Sequence, residues 1–245
     1  MMEDLLSWVD KAVEASDGDY EAAARQNGIL PIDCTSSILG YATHYGNLPV
    51  IGVNENLAGQ DRQFAGWHEM GHVKDGHIWE AQASNGLWDA AFFSDEVDSQ
   101  TISRHERTAN LVAAHAVIGT ERTLEEIGYN SPTLRQYREL QRTIGKAKNE
   151  YEQLMFSAGR TGRAKDIIRK RVQQLRLMLE DKEELEYQLR DMDICKTLSQ
   201  VAANLGTTER VLRYKLEALR ILGYDVDAQE LERYDRMFEK VNPNH

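Results

Sequence analysis

The residues best equipped for chemistry lie in Trp67-His68-Glu69-Met70-Gly71-His72, where His68, Glu69 and His72 form an H-E-x-x-H signature. At roughly 100° per residue, two histidines four apart lie about 40° from each other on one helix face, so both imidazoles can reach one metal ion. Neutral imidazoles suit zinc, and a catalytic zinc site needs three protein ligands with a fourth position left for water. Glu69 faces a neighbouring side of the helix, too far round to be the best third ligand but well placed as general base. One catalytic Zn2+ is therefore the expected cofactor. The competing reading of the stretch is an exposed polar stripe on a surface helix.

The third ligand must come from elsewhere. The longer three-histidine form of the motif needs a glycine and a later histidine, but Asp75 and Ile78 occupy those positions and His77 falls one short. A strongly apolar helix is expected over residues 101–118, and within it Glu106 and Asn110, four apart, share a face. Glu106 could supply a carboxylate oxygen while Asn110 holds a metal histidine by its other ring nitrogen. Spacing leaves rivals open: His105, His115, His77, Glu80, Asp95, Glu96 and Asp98.

The elements that must position these groups follow from periodicity and turn residues. Leu5, Leu6, Trp8, Val9, Ala12 and Val13 predict an amphipathic helix over 3–15, broken at Asp17-Gly18-Asp19. A short helix over 20–26 is capped by Asp19 and stopped by Asn27-Gly28. Three β-rich runs follow at 29–32, 37–42 and 48–53, the last two forming a hairpin around Tyr45-Gly46-Asn47. Pro49 would be awkward in a central strand, so the third run is expected to start at or after it, or to lie on an edge. The motif helix then runs over 58–74. Gly71, a poor helix former, predicts close approach of another backbone. Residues 76–101 show no clean period and carry Trp79, Trp88, Phe92 and Phe93, which reads as an irregular connection beside the site.

Charge divides the chain. Residues 1–133 hold 7 Lys and Arg against 21 Asp and Glu, residues 134–196 hold 15 against 11, and residues 197–245 hold 7 against 8. An acidic first part attracts basic partners and repels nucleic acid. Cys34 and Cys195 are far apart and in no C-x-x-C spacing, which argues against a disulfide framework or a zinc ribbon. An acidic start and the lack of any apolar run of roughly 18 residues predict no signal peptide, no membrane partner and a cytoplasmic location.

Three parts are therefore expected: a metallopeptidase-like domain over 1–133, a helical hairpin or short coiled coil over 134–196, and a helix-turn-helix-like part over 197–245. In the hairpin, Ile168, Val172, Leu175, Leu179, Leu185 and Leu189 fall mainly at three- and four-residue steps, which fits a packed insertion or a homodimer element. In the last part, Ala202, Gly206, Thr208 and Leu212 have helix-turn-helix spacing, with Arg210, Arg213 and Lys215 as possible DNA or substrate contacts. The fold class is α+β: a small antiparallel or mixed sheet packed on the H-E-x-x-H helix, then all-α parts.

The order of a strand pair, the His68-Glu69-Met70-Gly71-His72 helix and then Glu106-Arg107-Thr108-Ala109-Asn110-Leu111-Val112-Ala113-Ala114 resembles the ImmA/IrrE family of zinc metallopeptidases. Its comparable pattern is H-E-x-G-H followed by E-x-x-A-N-x-F-A-A. The resemblance covers about residues 19–118. It departs at Leu111-Val112, at His115 in a normally aliphatic position, and in a somewhat long gap between His72 and Glu106. It implies His68, His72 and Glu106 as zinc ligands, Glu69 as catalytic base, and a helix-turn-helix repressor of a phage, mobile element or stress regulon as protein substrate. Leu212-Arg213-Tyr214-Lys215-Leu216 also resembles the family's C-terminal helices, which complete the peptidase or help recognise substrate. The alternative class is a DNA-binding regulator or adaptor with a structural metal site.

Overall fold

A computed structural model describes residues 2–35, 37–80, 104–157, 162–191, 196–226, 228–229 and 231–232. Trp88, Phe92, Phe93, Asp95, Glu96, Asp98 and Cys195, all considered above, lie outside the described residues. The architecture is α+β, with a small mixed sheet among helices. None of the described helices is long and apolar enough to cross a membrane.

Helices α1 (Met2–Ser16) and α2 (Tyr20–Gln26) open the chain. The Asp19 carboxylate accepts the Ala22 amide at 2.7 Å, satisfying one of the orphan donors at the start of α2. Gly28, at φ 70°, lets the chain turn away from the helix end.

Strands β1 (Leu30–Cys34), β2 (Gly40–Tyr45) and β3 (Leu48–Asn54) form a sheet in the order β1-β3-β2, with β1 parallel and β2 antiparallel to β3. The hairpin forms, but β2 begins three residues later than its apolar run. A two-residue turn with Gly46 at φ 60° sets Tyr45 opposite Leu48, and the register follows from that turn. The placement of Pro49 is corrected: β3 is the central strand and includes it. The missing amide is tolerated because pairing with β1 starts only at Val50, leaving Pro49 opposite His44 alone.

Buried Val50, Ile51 and Val53 of β3 and Ala42 of β2 back the motif helix α3 (Gly59–Lys74), which is buried from Phe64 to His72. A short α4 (His77–Glu80) follows. Helix α5 (Arg104–Val117) lies along α3, and Gly71 marks the closest approach. A Cβ added there would meet the Ala109 Cα at 2.8 Å. Other contacts hold α3 at its rear. The Trp67 indole donates to the Gly18 carbonyl at 3.0 Å, and the Tyr20 ring fills the space above Gly66.

Helix α6 (Thr120–Glu126) precedes α7 (Pro132–Ser157) and α8 (Gly162–Asp191), and α9 (Leu198–Leu205) and α10 (Glu209–Ile221) follow. Compactness regroups these parts. Residues 124–197 form one unit, whereas α9 and α10 join the sheet, α3 and α5 in another. Residues 198–232 thus fold with the motif-bearing part rather than as a third piece. Helix α10 packs on α5, where Leu212, Leu216 and Leu219 are buried at helical spacing.

Candidate metal centre

Two helices build the site. From α3, His68 and His72 project one turn apart, and their Nε2 atoms stand 3.1 Å from each other. From α5, the Glu106 carboxylate reaches both: one oxygen lies 3.4 Å from His68 Nε2 and the other 3.3 Å from His72 Nε2. Both imidazoles are almost fully buried and Glu106 is 24% exposed, so the group opens to solvent on the carboxylate side.

Whether a metal fits can be judged from spacing. Ligands ~2.0–2.1 Å from a tetrahedral zinc sit about 3.3–3.4 Å from one another. The 3.1 Å between the two imidazole nitrogens, and the approach of one Glu106 oxygen to each of them at 3.4 and 3.3 Å, are close to that spacing. The donor set of two imidazoles and one carboxylate is that of an open catalytic zinc site. His68, His72 and Glu106 are thus a group able to hold a metal ion. Burial alone would raise the Glu106 carboxyl, but hydrogen bonding and charge from the two imidazoles outweigh it and hold it well below the usual carboxylate range.

Glu69 is completely buried one position along α3 from His68. Its carboxylate lies against β2, where a Cβ on Gly40 would fall 2.8 Å from Glu69 Oε1 and 3.0 Å from its Cγ. Gly40 therefore makes the room that Glu69 occupies. Cys34, at the end of β1, feels this carboxylate: burial, then Asp33 and Glu69, push its thiol up.

The rival groups separate clearly. Neither His105 nor His115 joins the metal group, and the His77 side chain lies outside the described residues. Asn110 is buried one turn beyond Glu106, but its Oδ1 has no hydrogen-bond partner among the described residues. The expected hydrogen bond from a metal histidine to Asn110 is therefore not formed. His44 Nδ1 bonds the Gly46 carbonyl at 3.0 Å, with its ring 4.4 Å from that of Trp79.

His115 and Lys215 form a second polar cluster. His115 Nε2 donates to Asp10 Oδ1 at 2.8 Å, and Lys215 Nζ donates to His115 Nδ1 at 3.0 Å, the His115 carbonyl at 3.1 Å and Thr120 Oγ1 at 3.0 Å. The three ammonium hydrogens thus have three acceptors. Burial, then the Lys215 charge, pushes His115 down to about 4, and burial lowers Lys215 to about 7. His115 is accordingly a satisfied core histidine that ties α1, α5 and α10 together. Lys215 is corrected as a DNA or substrate contact, because it has no exposed surface. The signal was in the sequence, since Lys215 falls between Leu212 and Leu219 at the spacing of the buried stripe. Arg213 is exposed but paired with Glu232 and, at 3.9 Å, with Glu209; Arg210 is half-buried.

Comparison with protein-family models, curated proteins and solved structures returned no match for this chain.

Proposed function

We propose that the protein is a zinc-dependent endopeptidase that cleaves a helix-turn-helix transcriptional repressor in the cytoplasm, relieving repression in a phage, mobile element or stress regulon. The observation that carries this reading is the convergence of His68, His72 and Glu106 at the mutual spacing of zinc ligands, with the buried Glu69 carboxylate beside them. Those three residues would hold the ion, which when bound supplies Lewis acidity toward water and the scissile carbonyl. Glu69 takes the proton of the attacking water on a carboxylate oxygen and delivers it to the leaving amine nitrogen. Gly40, having no Cβ, leaves that carboxylate its place. The acid excess of residues 1–133 favours basic substrates, and DNA-binding repressors are basic.

Metal analysis of the purified chain together with cleavage of a co-encoded repressor tests the proposal. We expect one zinc per chain and cleavage, with Glu69→Gln keeping the zinc and losing cleavage by roughly 10²–10⁴-fold. A metal-free native chain, or cleavage by Glu69→Gln at the native rate, refutes it. The competing DNA-binding role has less support, since Lys215 is buried and Arg213 is ion-paired. Salt-sensitive duplex binding lost in Arg213→Ala would favour it.

A further inference from the structure

Helix α8 orders its charges against its own dipole. Residues 162–176 contain six Lys or Arg and one Asp, while residues 177–191 contain six Asp or Glu and two Lys or Arg. Because a helix is partially positive at its N-terminus and partially negative at its C-terminus, this order sets like charge on like at both ends. Helix α7 runs antiparallel to α8, as the pairs Tyr137 with Glu186 and Arg171 with Glu150 show, and answers only one end. Its residues 132–144 carry Arg135, Arg138 and Arg142 beside Glu139 and face the acidic half. Its residues 145–157 carry two lysines and two glutamates and, beyond the pair of Glu150 with Arg171, bring no net charge against the basic half.

The face of α8 turned away from α7 is also unsealed. Val172 and Leu179 are 47% and 40% exposed. Seven residues apart, they fall within about 20° of each other around the helix. Leu185 and Leu189, which are buried, lie roughly 80–140° away from them. Exposed Arg169 and Glu183 share the Val172 face, one toward each end.

We propose that α8 is the seam of a symmetric antiparallel dimer, and that its occupant is α8 of a second copy of this chain. A two-fold axis between Leu175 and Arg176 sets Val172 level with Leu179 of the second copy and brings Arg169 within one residue, about 1.5 Å along the axis, of the level of its Glu183. Each basic half then lies on an acidic half, and every contact occurs twice. Parallel pairing would stack like charge on like, so the charge order selects the antiparallel arrangement. Thirty residues of helix give a seam about 45 Å long, enough to approach the ~1,000 Å² that specific interfaces bury.

Sedimentation equilibrium of the full chain, at low and high salt and with and without chelator, tests the seam. The expected result is a dimer that weakens with salt and is indifferent to chelator, which keeps its outcome separate from that of the peptidase reading. Arg169→Glu and Glu183→Arg should each weaken it by about tenfold, because each reversal acts at two places, and the double reversal should restore it. Leu179→Ser, which changes no charge, should also weaken it, and far-UV circular dichroism on every variant separates lost association from lost helix. A chain monomeric throughout, a dimer indifferent to the single reversals, or a double reversal no tighter than the singles overturns the proposal. So does a monomer whose basic half binds duplex DNA instead.

Discussion

Gly71→Ala probes the contact on which the candidate metal centre depends. The added Cβ would lie 2.8 Å from the Ala109 Cα and 3.3 Å from the Cβ atoms of Ala109 and Val112. Carbon atoms prefer ~3.5–4.0 Å, so α3 and α5 must part by up to about 1 Å. Two effects compete. Replacing a mid-helix glycine by alanine gains about 1 kcal/mol of intrinsic helix stability. Overpacking costs about 1–3 kcal/mol, and here the upper end applies because the obstacle is a backbone atom that no rotamer change can move. The net expectation is a loss of about 1–2 kcal/mol in urea denaturation of chelator-treated protein. The larger effect falls on the metal. Ala109 follows Glu106 by one helical turn, so parting the helices carries the carboxylate away from His68 and His72. Ligand distances tolerate only about 0.2 Å, so zinc affinity measured by competition titration should fall ~10–100-fold. A Gly71→Ala protein as stable as the native chain, with the same zinc affinity, would refute the claim that this contact sets the ligand triangle.

Gly40→Ala should act on the base rather than the metal. Its Cβ displaces the Glu69 carboxylate, so peptide cleavage drops at least about tenfold while zinc content stays the same. On the zinc-peptidase proposal, chelation should lower the thermal midpoint of the native chain, because an ion held by His68, His72 and Glu106 would bind only the folded state, and Glu106→Ala should remove both the zinc and that chelator sensitivity. Stability of chelated protein should rise as pH goes from about 4 to 6.5. His115 takes up its proton only near 4 in the fold but near 6.5 when unfolded, so across that window the unfolded chain binds more protons and acid favours it. His115→Gln should flatten the urea-midpoint profile between those limits, and an unchanged profile would show that the cluster with Asp10 and Lys215 does not carry the effect.

Most of the elements around the metal centre were legible because each carries a local signal. Asp19 caps α2, and Gly46-Asn47 makes the hairpin turn. Gly71 announced a close neighbour, and the neighbour is α5. Glu106 was singled out by its face and by resemblance, and the fold brings it to the two histidines. The failures share a cause as well. The central position of β3, the lack of a hydrogen bond at Asn110 Oδ1 and the grouping of α9 and α10 with the sheet all depend on partners distant in the chain. No local propensity encodes which distant partner a strand or helix will find.

By itself the sequence determined the pair of imidazoles, because four residues on a helix is one turn whatever surrounds it. It also determined the charge order of α8, which is a matter of composition alone. Only the tertiary structure decided that Glu106 completes the triangle, that Gly40 houses the Glu69 carboxylate, and that Lys215 is spent on His115 and Thr120 rather than offered to a ligand. Those outcomes are set by packing between elements far apart in sequence, where a few tenths of an ångström separate contact from clash.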